Sequence, residues 1–142
     1  MNEAGGWFFE DLEVGTSASF SKTVTDADIV LFAGVSGDTN PVHLDEEYAS
    51  GTMFKGRIAH GMLTAAFLSA VLGARMPGPG AVYLSQSLRF RAPVRIGDTV
   101  RATATVTALD PQRKRATLET KCTVAGKAVV DGEAVVMVPG RV

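Results

Sequence analysis

At 142 residues the chain has the length of one domain, residues 1–142. A domain of that size buries roughly 68–70% of the surface its unfolded chain exposes, so it needs no disulfide or metal staple. With 46% hydrophobic residues, and 14 Lys and Arg against 15 Asp and Glu for a net charge of −1, nothing in the balance asks for nucleic acid, although a local basic patch could still meet a phosphorylated ligand.

In chain order, the opening "MNEAGGWFFEDLEVG" has no basic region followed by an apolar run, so it does not read as a signal peptide. No later apolar segment approaches the roughly 20 residues needed to span a bilayer. A soluble, cytoplasmic protein with no membrane partner is expected. "TSASFSKTV" (16–24) predicts a strand. Thr25 is an N-cap candidate, with Asp26 and Asp28 suited to the first turn of the helix that follows. Ile29, Phe32 and Ala33 recur there at helical spacing, and the glycines at 34 and 37 weaken the helix.

"SGDTNPVHLD" (36–45) then concentrates turn-forming residues around one of only two histidines. Pro41 disfavours helical geometry at Asn40, so the chain is expected to turn and let Asp38 and His43, five positions apart, converge. "DEEYASG" (45–51) predicts a short helix closed by Gly51. "HGMLTAAFLSAVLG" (60–73) predicts a helix with no charged residue from Gly61 to Leu72. Such a helix, about 18 Å long, is expected to be buried on every side.

Four stretches of the second half, 81–93, 98–110, 113–126 and 127–139, combine strand composition with alternation of period two. Turn-like breaks join them, which predicts an antiparallel meander. Cys122, the only cysteine, falls in such an alternating stretch and reads as a small buried side chain with no partner for a disulfide. A strongly curved antiparallel sheet around one buried helix satisfies both halves. The expected class is α+β, of the hotdog type.

The residues of "SGDTNPVHLD", followed by "RIAHGMLTAAFLSAVLG" and "GPGAVYLSQSLRFRAPVRIGDTV", resemble the MaoC-like (R)-specific enoyl-CoA hydratases, in particular the short stand-alone bacterial type that feeds polyhydroxyalkanoate synthesis. The likeness runs from about Phe9 to Val138, and Asp38, Asn40, Pro41, His43 and the "HGM" element all stand in the family's places. It implies reversible addition of water to a trans-2-enoyl-CoA, giving the (R)-3-hydroxyacyl-CoA. It further implies a homodimer. No cofactor is expected, because the substrate itself carries coenzyme A.

Such a reaction needs a proton taken from water, a proton given to Cα, and a donor for the thioester oxygen as enolate character develops. Asp38 and His43 are the candidates for the protons, with one water held between them by resemblance, His43 the preferred base and Asn40 a brace. The Gly61 N–H, at the start of the apolar helix, is the candidate for the oxygen. Ser69 is either a hydroxyl bonded within its own helix or, by resemblance, a neighbour of the catalytic pair. His60 is expected to fix the helix entry. Arg57, Arg89, Arg91 and Arg95 could include a partner for CoA phosphates, with none singled out. Two histidines and a single cysteine speak against a metal site. The rival readings are a (3R)-hydroxyacyl-carrier-protein dehydratase of mycobacterial type and an acyl-thioester-binding module without catalysis. The lack of Asp or Glu in 61–73 counts against hotdog thioesterases and the bacterial acyl-carrier-protein dehydratases, which commonly place a carboxylate on that helix.

Overall fold

In the second half the alternating stretches become three long strands, because every second side chain can reach the same apolar layer. A computed structural model describes residues 1–142. Its elements are β1 (Ser17–Thr23), α1 (Asp26–Ser36), α2 (Pro41–Leu44), α3 (Glu46–Ser50), α4 (Gly61–Ala74), β2 (Val82–Gln86), β3 (Arg89–Phe90), β4 (Thr99–Asp110), β5 (Arg115–Val124) and β6 (Lys127–Met137). Val100, Ala102, Ala104 and Val106 of β4 are buried on one face, and Ala116, Leu118, Thr120 and Cys122 of β5 continue it. Antiparallel register aligns them, with Ala102 opposite Cys122 and Cys122 opposite Val130. A two-residue hairpin joins β5 to β6, and both Ala125 and Gly126 take positive φ, as the twist of such a turn requires.

Against that face lies α4, which presents Leu63, Phe67, Leu68, Val71 and Leu72 to the core. Each buried side chain of this size contributes about 1.5–3 kcal/mol. The rings of Phe67 and Phe20 meet edge to face at 6.1 Å, tying α4 to β1. The curved antiparallel sheet with its central helix is the expected α+β hotdog architecture.

Two expectations need correction. The strands do not form a simple meander in chain order: the sheet runs β1-β4-β5-β6-β2, with β3 also on β6. The stretch 81–93 therefore pairs with the last strand instead of the next one, and it splits into β2 and β3 around Ser87 and Leu88. At the split, Gly132 of β6 faces the Ser87 carbonyl so closely that a Cβ would sit 1.8 Å from its oxygen. Glycine is needed there for the backbones to approach.

The second correction concerns α4. It is buried on one side only, while Met62, Ala66, Ser69 and Gly73 form an exposed stripe along the other. The sheet curves around a single flank, so the absence of charge on the helix does not translate into enclosure within one chain.

Candidate active site

The loop after α1 owes its shape to short polar side chains that bond to nearby backbone. α1 ends at Gly37, which takes φ +80° and donates its N–H to the Ala33 carbonyl at 2.9 Å. The Asp38 N–H donates to Ser36 Oγ at 3.1 Å, and the Asn40 N–H donates to Asp38 Oδ1 at 3.2 Å. Asn40 then caps α2, its Oδ1 accepting from the Val42 N–H at 3.0 Å. Where the sequence predicts a plain turn, the chain makes a one-turn helix begun by Pro41, a position where the missing N–H costs nothing. His43 rides on that turn and is buried.

His43 is oriented by bonds on both sides. Its Nδ1 lies 2.8 Å from the Ile58 carbonyl oxygen, which can only accept, so the proton of the neutral ring is on Nδ1 and Nε2 offers a lone pair. The Arg57 Nε–H donates to the His43 carbonyl at 2.6 Å, and the same guanidinium pairs with Asp26 at the start of α1. Nε2 of His43 faces Asp38 Oδ2 at 3.9 Å. That gap is too long for a direct hydrogen bond. A water about 2.8 Å from both atoms would subtend an angle of about 90°. Asp38 Oδ1 is already engaged by Asn40, which leaves Oδ2 for such a water.

His60 stands beside the pair. Its Nε2–H donates to the Asp38 carbonyl at 2.9 Å, and its ring stacks on His43 at 3.8 Å with an interplanar angle of 28°. His60 fixes the helix entry through this bond to the Asp38 loop and not by capping: it occupies the N-cap position of α4 but makes no capping bond. The N–H groups of Gly61 and Met62 consequently have no protein acceptor, at the positive end of the helix dipole. A Cβ on Gly61 would meet the Phe90 ring at 2.5 Å, so any larger residue here would have to push that ring aside.

Asp38, His60, Gly61 and Thr64 all line a cleft of about 520 Å³, walled by apolar side chains such as Phe54 and Phe90. His43 does not line it directly; it reaches the cleft's edge through its approach to Asp38. Two buried polar atoms here, His60 Nδ1 and Thr64 Oγ1, have no partner in the chain. Asp38, His43 and His60 also bring one potential ligand atom each within 4.8 Å. One nitrogen of each ring, His43 Nδ1 and His60 Nε2, is already turned to a backbone carbonyl, which leaves each histidine a single nitrogen for any ion.

The remaining candidates divide. Asp38, Asn40, His43 and Gly61 come together. Ser69 lies two turns along α4 on its exposed stripe and outside the cleft. Arg57 holds Asp26 and His43, Arg91 pairs with Asp131, and Arg95 donates to the Phe54 carbonyl, so three of the four arginines are used within the fold. Cys122 is fully buried, and burial pushes its thiol up to about 12. Thr64, Phe54 and Phe90 have no sequence signal, since nothing separates a cleft wall from a core residue before the fold is known.

Residues 11–131 match the family described as MaoC like domain. Over 134 residues the chain is 64% identical to an (R)-specific enoyl-CoA hydratase of Rhodospirillum rubrum, covering 94% of this chain and 93% of that protein. It is 54% identical to a 3-hydroxybutyryl-CoA dehydratase of Methylorubrum extorquens, covering 94% and 85%. The fold superposes on the (R)-hydratase from A. caviae involved in PHA biosynthesis with a TM-score of 0.89 and 46% identity, covering 92% of this chain and 99% of that one.

Proposed function

The chain belongs to the MaoC-like domain family, and from that premise we propose that it is an (R)-specific enoyl-CoA hydratase, a hydro-lyase acting reversibly on trans-2-enoyl-CoA thioesters. The observation that carries the mechanism is the 3.9 Å gap between Asp38 Oδ2 and His43 Nε2 at the edge of a cleft that is also lined by Gly61, whose N–H has no protein acceptor.

In the proposed reaction one water sits in that gap. His43 Nε2 removes a proton as the water oxygen bonds to C3. The electrons of the C2–C3 double bond move onto the thioester oxygen, which the Gly61 N–H and the helix dipole stabilise. A proton from the Asp38–His43 pair then reaches C2, which restores both groups and completes the addition of H and OH. Asn40 holds the loop that carries the pair. The reaction needs no metal and no cofactor, because every charge that develops has a protein partner.

Supply of (R)-3-hydroxyacyl-CoA for polyhydroxyalkanoate synthesis is the pathway we assign, supported by the A. caviae (R)-hydratase, whose own role is in PHA biosynthesis. We place the enzyme in the cytoplasm as a homodimer. No helix is long and apolar enough to cross a membrane. The dimer is supported by the unpaired outer edge of β2, where Val82, Tyr83 and Leu84 are exposed, and by the uncharged exposed stripe of α4.

The direct test is the loss of conjugated-thioester absorbance of crotonyl-CoA, followed by chiral analysis of the 3-hydroxybutyryl-CoA formed. Turnover to the (R) product is expected; no turnover, or an (S) product, contradicts the assignment. The same assay on a crotonyl-carrier-protein thioester separates it from a carrier-protein dehydratase, which would favour that substrate.

A further inference from the structure

We infer that His60 is a positioning residue: it sets the gap between Asp38 and His43 and ties that gap to the start of α4. The inference rests on the hydratase reading above. Asp38 is held within its own loop by Ser36 and Asn40, and the bond from His60 is its only hydrogen bond to α4. Because a carbonyl oxygen can only accept, the 2.9 Å contact fixes the Nε2–H tautomer of His60. On one face the ring stacks against His43 at 3.8 Å, and Phe32 of α1 packs against it at 4.9 Å between ring centroids. His60 thereby contacts the backbone of the proposed acid–base carboxylate and the ring of the proposed base. It also immediately precedes the glycine whose N–H is assigned to the thioester oxygen.

An imidazole is an unexpected choice here if only the fold matters. The N-cap position favours Ser, Thr, Asp or Asn, and His60 makes no capping bond. Its exposure is 2%, and its Nδ1 finds no acceptor or donor within the chain. A phenyl ring would fill the same space and bring no such nitrogen. What phenyl cannot supply is the N–H that holds Asp38.

The test follows from separating the donor from the ring. His60→Gln keeps an N–H donor of similar reach and loses the stack, whereas His60→Phe keeps a flat ring and loses the donor. His60→Phe is expected to lower kcat on crotonyl-CoA by about 10²-fold, the scale of a misplacement of about 1 Å, with KM changed less than about threefold. His60→Gln is expected to recover kcat to within about tenfold of the parent. Wild-type kcat in His60→Phe, or a His60→Gln enzyme as impaired as the phenylalanine variant, overturns the inference. Should either variant fail to fold, ¹⁵N–¹H two-bond spectra of the unaltered protein decide. The Nε2–H tautomer at His60 with the Nδ1–H tautomer at His43 is expected, and an Nδ1–H tautomer at His60 overturns it. These spectra do not depend on turnover, so failure of the hydratase reading itself would show separately, as an unaltered protein inactive on crotonyl-CoA.

Discussion

Asp38 and His43 differ in their surroundings in a way that suits a shared water. The imidazole is buried and held rigidly by Ile58, while the carboxylate is about half exposed and keeps one oxygen free. Asp38→Ala and His43→Ala are each expected to lower turnover by at least about 10²-fold while the fold stays intact by circular dichroism. Full activity in either variant would mean that the gap does no chemistry. The spacing of Asp38, Asn40, Pro41 and His43 is legible in the sequence because each turn-forming residue bonds to backbone within a few positions. Arg57 is not legible in the same way. Its target is a backbone carbonyl fourteen residues back, and from sequence a guanidinium looks equally suited to a phosphate.

Among the elements, α1 shows how a local signal survives into the structure. Thr25 and Asp28 form a reciprocal capping box, with the Asp28 N–H donating to Thr25 Oγ1 at 3.1 Å and the Thr25 N–H to Asp28 Oδ2 at 2.9 Å. The Lys22 ammonium, 2.8 Å from the carboxylate, is the main reason the Asp28 carboxyl is held below its ordinary value of 3.8, with the bonds from Thr25 adding to it. A carboxyl that is more acidic in the folded state stabilises the fold above its unfolded value and loses that contribution as pH falls through the folded one. Asp28→Ala is therefore expected to lower the melting temperature at neutral pH, by a difference that narrows below about pH 4. A difference unchanged down to pH 2 would contradict this linkage. The neighbour of β2 carries no such local signal. Alternation tells which face of a strand is buried but not which strand lies beside it, and only the close approach at Gly132 shows why 82–90 folds onto β6.

For the whole molecule, the one-sided burial of α4 and the open edge of β2 point the same way. A charge-free helix leaves a stripe of Met62, Ala66, Ser69 and Gly73 facing outward, and an edge strand exposes Val82, Tyr83 and Leu84. Unprotected apolar edges invite pairing. Sedimentation equilibrium is expected to give twice the 14.9 kDa chain mass, and Leu84→Lys to shift the population towards monomer. A wild-type chain that stays monomeric at micromolar concentration would contradict the dimer. The sequence legibly encodes the helix-and-sheet architecture, while the exposed stripe is hidden in it because an apolar helix looks alike whether a sheet or a second chain covers it.

The stereochemistry of addition in deuterium oxide tests most directly whether one water, gripped between Asp38 and His43, supplies both groups. If it does, oxygen and deuterium enter from the same face of the double bond. Crotonyl-CoA hydrated in D₂O is then expected to yield (R)-3-hydroxybutyryl-CoA carrying a single deuterium at C2, syn to the new hydroxyl by proton NMR. Anti addition, or deuterium scrambled over both C2 positions in the initial product, would contradict a single site of delivery.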